Sequence, residues 1–251
     1  MVGWIRRVPG PLSILSPLTS KEESVPALSE HQPIRTYKPR RGRITARQAR
    51  ALERDDAHLL IPDHQFDLTQ LFGGLEVICE IGFGTGITTA AMAKARPDLG
   101  FLAIDVHTPG IGDLIARIRE EQLSNIYVVE GDAIQVLAEC IARQSLRGVR
   151  SFFPDPWPKA RHHKRRLVQP ERVELIASRV RENGTWDIAT DWLPYADHIE
   201  SLMTQMPQWH GGKVARPDWR PLTHYESLGL DQGREISDFR YVRTQVPCIT
   251  P

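Results

Sequence analysis

The sequence predicts an α/β fold, a mostly parallel central sheet with helices on both faces. Three observations predict it. Short apolar runs alternate with helical stretches along the middle of the chain. An early strand runs directly into a glycine-rich turn that opens a helix. The composition of the 251 residues, 41% hydrophobic and 25% charged, supplies a core and excludes wholesale disorder.

The elements follow in order. Thr45 is a plausible N-cap for a helix over about 46–58, where Ala49 and Leu52 alternate with charges. Glu76–Ile81 reads as a buried strand and Ile87–Ala95 as a helix closed by Pro97. Phe101–Val106 is a strand and Ile111–Glu120 a helix. Ile126–Val129 is a strand, followed by a helix over about 133–143. Val149–Phe153 is the fourth strand, Glu171–Arg181 a helix, Thr185–Thr190 a strand, and about 195–204 a helix. Beyond residue 209 the periodicity weakens: Phe239–Val242 reads as a strand, and Gly229 and Gly233 as turns. No internal repeat is present.

The net charge of +1 argues against a simple polycation that binds nucleic acid along its whole surface. The charge is segregated, however. Residues 1–43 carry 8 basic and 3 acidic side chains, and residues 44–150 carry 10 and 15. The first 43 residues also hold 6 of the 19 prolines, which predicts a disordered basic leader ahead of a folded domain over 44–251. Cys79, Cys140 and Cys248 form no C-x-x-C pair, so neither a disulfide framework nor a zinc ribbon is expected. No apolar run approaches membrane-spanning length, and Pro9, Pro11 and Pro17 break up a would-be signal peptide, so a cytoplasmic protein without a membrane partner is expected.

The turn reads Gly82-Phe83-Gly84-Thr85-Gly86 after Glu80-Ile81. Glycines let a ligand approach the backbone, and the following helix offers unpaired N–H groups. The spacing lacks the third glycine of the dinucleotide pattern, since position 87 is Ile87, and no P-loop motif exists. The acid Glu80 in the strand favours S-adenosyl-L-methionine (SAM), whose ammonium a carboxylate can hold directly or through water; a nicotinamide cofactor is the alternative. Asp105 ends the second strand, where an acid can accept from both ribose hydroxyls, and Asp132 follows the third, within reach of the adenine end.

The fourth strand leads into Phe153-Pro154-Asp155-Pro156-Trp157-Pro158-Lys159, whose prolines restrict the backbone around Asp155. Next come Arg161, His162, His163, Lys164, Arg165 and Arg166, so that with Lys159 five cations fall within eight residues, a run suited to phosphates. The two histidines have no Cys or third His at zinc spacing, so no metal is expected. Asp191 ends the fifth strand, and Thr223-His224-Tyr225-Glu226 forms a further polar stretch. Trp157 can either stack on a base or close the pocket.

Together, EIGFGTG at 80–86, FPDPWPKARHHKRRL at 153–167, TDWLPYADHIE at 190–200 and THYESLGLDQGREISDFRYVR at 223–243 resemble the bacterial tRNA (guanine-N7-)-methyltransferase family, over about residues 45–243. The resemblance implies a Rossmann-like class I methyltransferase fold, SAM as methyl donor, and tRNA methylated at guanine 46 of its variable loop. It implies cofactor contacts at Glu80, Asp105, Asp132 and Asp155, with the glycine turn, and a catalytic role for Asp155. It implies substrate contacts at Lys159, 161–166, Asp191 and Thr223–Glu226. Asp105 departs from the glutamate that many members carry and shortens the reach. Competing expectations are a methyltransferase acting on another RNA or a small molecule, and a non-catalytic RNA-binding protein on the same fold.

Overall fold

The computed structural model describes residues 34–37, 43–53 and 57–245. The expected leader therefore lies outside the described residues, apart from 34–37 and 43. Its elements are α1 (Ala46–Leu52), β1 (Leu59–Leu60), α2 (Leu68–Leu71), β2 (Glu76–Ile81), α3 (Ile87–Ala95), β3 (Leu99–Asp105), α4 (Thr108–Glu120), β4 (Ile126–Glu130), α5 (Ala133–Cys140), β5 (Leu146–Phe152), a 3-10 helix (Ala160–Arg165), α6 (Pro170–Arg179), β6 (Val180–Thr190), α7 (Leu193–Met203), β7 (Trp209–Val214), α8 (His224–Asp231) and β8 (Ser237–Arg243).

The strands form an eight-stranded sheet in the order β1-β4-β3-β2-β5-β6-β8-β7. Every pair is parallel except those of β8, which runs antiparallel to β6 and β7. Successive strand residues face opposite sides of a sheet. Cys79, Leu102, Val129 and Ile188 accordingly join the core beneath α5, α6 and α7. Ile78, Phe101, Val128 and Ala189 join the core beneath α1, α3 and α4. Burial on both faces explains why β3 reads as a continuous apolar run.

Several boundaries differ from the sequence reading, each for a local reason. The first helix keeps its predicted N-cap, where Thr45 and Gln48 form a capping box, but ends at Leu52. Downstream, Leu59–Leu60 is drawn out to pair with β4. Helices α4 and α7 begin earlier than their apolar residues suggest, because Pro109 and Pro194 occupy first-turn positions where no N–H is needed. Helix α6 stops at Arg179, and β6 starts at once and shifts register against β5. Gly229 lies within α8 rather than in a turn; the turn falls at Gly233, with φ of 69°. Among the described residues no helix is long and apolar enough to cross a membrane.

Candidate functional site

The chain runs outward from β2 through β3 to β4, then crosses back to β5 on the other side of β2, so the direction of winding reverses between β2 and β5. The carboxyl ends of β2 and β5 thus flank the crevice where an α/β sheet binds ligands. The structure brings Glu80, Asp105, Asp132, Asp155 and Asp191 to this edge, each at or just beyond a strand end.

The glycine turn has a steric explanation. Gly82, Gly84 and Gly86 have φ of 77°, 63° and 70°, the left-handed region that side chains disfavour. A Cβ on Gly86 would lie 2.6 Å from Leu114 Cβ, and one on Gly110 would lie 1.9 Å from the Gly84 carbonyl oxygen. Helix α4 is therefore pressed against the turn and fixes its shape. Sequence reading missed Gly110, because its partner lies 26 residues away by numbering and no local turn signals it.

Glu80 is 2% exposed, and its Oε2 has no hydrogen-bond partner among the described residues. A buried acceptor without a donor is costly, so the site is shaped for one that the chain does not supply. Burial pushes the Glu80 carboxyl up to about 7, the Asp105 charge adds to the rise, and the Thr89 hydroxyl and Arg150 guanidinium oppose it. Asp105 serves the turn itself. Its Oδ2 accepts from Gly84 N–H at 2.8 Å, and its Oδ1 accepts from Val106 and His107 N–H at 2.7 and 2.9 Å. Burial raises its pKa against the pull of those N–H donors. Two donors saturate Oδ1, leaving one lone-pair direction on Oδ2. Asp132 caps α5 by accepting from Ile134 N–H at 2.9 Å. His107 Nδ1 is also buried beside this edge without a partner among the described residues, a position the sequence does not single out.

Asp155 is half-buried in the loop 153–159. Phe153 and Trp157, which bracket Pro154-Asp155-Pro156, have φ of 53° and 45°, rare for bulky residues. Such strain persists only where the surroundings impose it. Phe153 N–H donates to the Ala189 carbonyl at 2.7 Å. Trp157 is 3% exposed, and its Nε1 donates to the Thr36 carbonyl at 2.9 Å. Of the two roles open to Trp157, the structure gives it the closing one: the ring is buried and braces the loop. Arg165 lies over that ring at 4.9 Å, and His162 meets it edge-on.

The basic run divides by exposure. Lys159, Arg161 and Lys164 are exposed, while His162, His163 and Arg165 are half-buried. Arg166, expected to contact substrate, is only 2% exposed: its Nε donates to the Pro156 carbonyl at 3.0 Å, and its guanidinium lies over the Tyr195 ring. It therefore holds the Asp155 loop from inside.

Thr223 and Glu226 have internal partners as well. They are the two ends of a capping box on α8, and both are buried. Glu226 accepts from Arg220 Nη1 and Nη2 at 2.6 and 2.9 Å, and Arg220 also donates to both oxygens of Asp238 at 2.8 and 3.0 Å. The Arg220 guanidinium stacks over Phe152 and Phe153, so it couples α8 and β8 to the strand that delivers Asp155. Thr-x-x-Glu is legible as a helix start, but its partners Arg220 and Asp238 are not. His224 opens α8 and Tyr225 is exposed beside it. Asp191 is partly exposed and paired with Arg234 at 2.5 Å.

Comparison with known proteins places this geometry in context. A family model described as a putative methyltransferase matches residues 75–239. A tRNA (guanine-N(7)-)-methyltransferase of Streptomyces avermitilis is 48% identical over 220 residues, covering 84% of this chain and 76% of that relative. One of Nitrosomonas europaea is 42% identical over 223 residues, covering 86% of this chain and all of the relative (100%). Among solved structures, the 16S rRNA methyltransferase KamB superposes with a TM-score of 0.54 at 14% identity, covering 73% of this chain and 96% of that one. An antibiotic-related methyltransferase gives a TM-score of 0.51 at 16% identity, covering 71% and 93%. These structures share the fold, a Rossmann-like class I methyltransferase sheet.

Proposed function

The chain belongs to the tRNA (guanine-N(7)-)-methyltransferase family, and from that premise we propose that it methylates N7 of guanine 46 in the variable loop of tRNA. The observation that carries this reading is an adjacency. A glycine turn over buried Glu80, whose Oε2 has no partner among the described residues, shares one sheet edge with Asp155, whose loop continues into exposed Lys159, Arg161 and Lys164.

S-adenosyl-L-methionine, when bound, supplies an electrophilic sulfonium methyl group. The residues present fit it, because Glu80 Oε2 is a buried acceptor awaiting a donor such as an ammonium. Asp105 has room for one ribose hydroxyl rather than two, since it already holds three backbone N–H groups. Asp132 would serve the adenine end, with one oxygen committed to the α5 cap.

Guanine N7 carries a lone pair and no proton, so no general base is required to make it nucleophilic. Asp155 is proposed to accept from guanine N1–H and the exocyclic amine, which turns N7 toward the methyl group. As N7 gains its methyl, positive charge develops on the purine, and the same carboxylate stabilises it. Lys159, Arg161 and Lys164 engage tRNA phosphates, with Arg165 and the two histidines at their base. A tRNA substrate also fits a cytoplasmic location.

Labelled methyl transfer to an unmodified tRNA transcript tests the reading. Label is expected on guanine 46, and a transcript carrying 7-deazaguanine there is expected to accept none. Label on another nucleotide would reassign the substrate to another RNA position.

A further inference from the structure

Glu80 does not stand alone in the sheet. Across neighbouring strands, Glu80 of β2 is in register with Arg150 of β5, Arg150 with Asp187 of β6, and Asp187 with Arg240 of β8. Side chains at one register project to the same face. The result is a row of alternating charge, negative, positive, negative, positive, across four strands. Its first three members are buried: Glu80 is 2%, Arg150 6% and Asp187 5% exposed. The outer pair is closed by an Arg240 Nε to Asp187 Oδ1 bond of 2.7 Å. Arg150 lies 4.1 Å beneath the Trp219 ring and donates from Nη1 to Met92 Sδ at 3.2 Å.

Between Glu80 and Arg150 no ion pair closes among the described residues. Glu80 Oε2 and Arg150 Nε are both buried and both without a partner. The guanidinium thus acts on the carboxylate through the low-dielectric interior without occupying its open oxygen. That leaves the Glu80 Oε2 open to a ligand.

Building on the SAM-binding reading above, we infer that Arg150 is a positioning residue for the cofactor: backed by Asp187 and Arg240, it favours the ionised form of Glu80, the form that takes the ligand's ammonium. The groups facing Glu80 are Asp105 from β3, the Thr89 hydroxyl from α3 and Arg150 from β5. Burial and Asp105 oppose ionisation; the Thr89 hydroxyl and Arg150 favour it, and Arg150 is the one cation among these groups. Burial in turn lowers Arg150 to about 10, still protonated at neutral pH, and the Glu80 and Asp187 charges hold it up.

The sign of the effect follows. Removing the guanidinium raises the Glu80 pKa, so the acid is neutral over a wider range and binding weakens from the acidic side. A displacement of one pKa unit corresponds to about a tenfold change at low pH and to almost none well above both values.

The test is calorimetric binding of S-adenosylmethionine from pH 6 to pH 9 to the full chain, to Arg150→Met, to Arg150→Lys and to Asp187→Asn. The ratio of variant to wild-type dissociation constants is compared at each pH, so the ligand's own titration divides out. For Arg150→Met the ratio is expected to be about tenfold at pH 6 and to approach one at pH 9. Arg150→Lys is expected to restore most of the wild-type curve. Asp187→Asn, which strips a negative charge from behind Arg150, is expected to move the curve the other way, extending binding toward acid. A pH-independent loss in Arg150→Met, or a ratio of one throughout, overturns the proposal. If Arg150→Met does not fold, Asp187→Asn decides alone: a curve that does not move, or moves toward alkali, overturns it. Absence of binding by the wild type instead overturns the cofactor reading on which it rests.

Discussion

Arg220→Met removes a guanidinium that Glu226 and Asp238 share, while keeping an unbranched side chain of similar length. Arg220 and Glu226 side chains are 0% and 1% exposed, and that of Asp238 is 6% exposed. Breaking a buried ion pair by deleting one partner costs about 3–5 kcal/mol, because the remaining charge is stranded. Glu226 keeps a second donor in Arg216, at 2.9 Å, which puts the expected cost near the lower end, about 3 kcal/mol. For a chain of this size that is roughly 6–12 °C in Tm. Burial raises the Glu226 carboxyl, but the Arg220 and Arg216 guanidiniums outweigh it and hold the group below its ordinary range. Such a group contributes stability at neutral pH that is lost as pH falls through the lowered pKa. In the variant the stranded acids titrate higher and take up protons first, so the gap between variant and wild type narrows on acidification. Urea unfolding at pH 7.5 and pH 5 reads both numbers. A loss below about 1 kcal/mol at pH 7.5, or a gap that widens at pH 5, refutes the reasoning.

Other perturbations separate the roles of neighbouring residues. Gly110→Ala places a methyl against the Gly84 carbonyl, so displacement of the turn is expected to weaken SAM binding about tenfold or more and to cost about 1–3 kcal/mol; calorimetry showing unchanged affinity would contradict the packing argument. Replacing Lys159, Arg161 and Lys164 together by Gln is expected to reduce the slope of log affinity for tRNA against log salt by about 2–3, with SAM binding unaltered. Arg166→Met, by contrast, is expected to leave that slope in place and lower Tm, since its guanidinium braces the Pro156 carbonyl inside the protein. A salt slope that falls as much for Arg166→Met as for an exposed cation would return Arg166 to the RNA face.

Much of the architecture is legible in the sequence because it rests on local periodicity. Buried parallel strands alternate with helices, and the glycine turn after Glu80 announces itself through three glycines at one strand–helix junction. What local pattern does not carry is exposure and long-range pairing. Lys159 and Arg166 look equivalent in a basic run, yet one is exposed and the other holds a backbone carbonyl in the interior. Thr223 and Glu226 look like a polar site segment, and the structure also makes them a helix cap tied to Arg220 and, through it, to Asp238. Trp157 reads equally well as a stacking platform until its indole is seen bonded to Thr36, 121 residues earlier. The charge row from Glu80 to Arg240 exists only once the strand order β2-β5-β6-β8 is known. Short elements such as β1 and α2 are too brief to show a period of their own.

The strained loop between Phe153 and Trp157 exists, on this reading, to present Asp155 to the target base. Single-turnover methyl transfer by Asp155→Asn, with saturating SAM and tRNA, tests that most directly. Asparagine keeps the shape and removes the charge. A rate lower by about 10²–10³ is expected, of the size seen when one preorganised electrostatic contact is lost, with tRNA and SAM still bound. A variant that transfers methyl at the wild-type rate would show that the Asp155 carboxylate neither orients the guanine nor stabilises its developing charge.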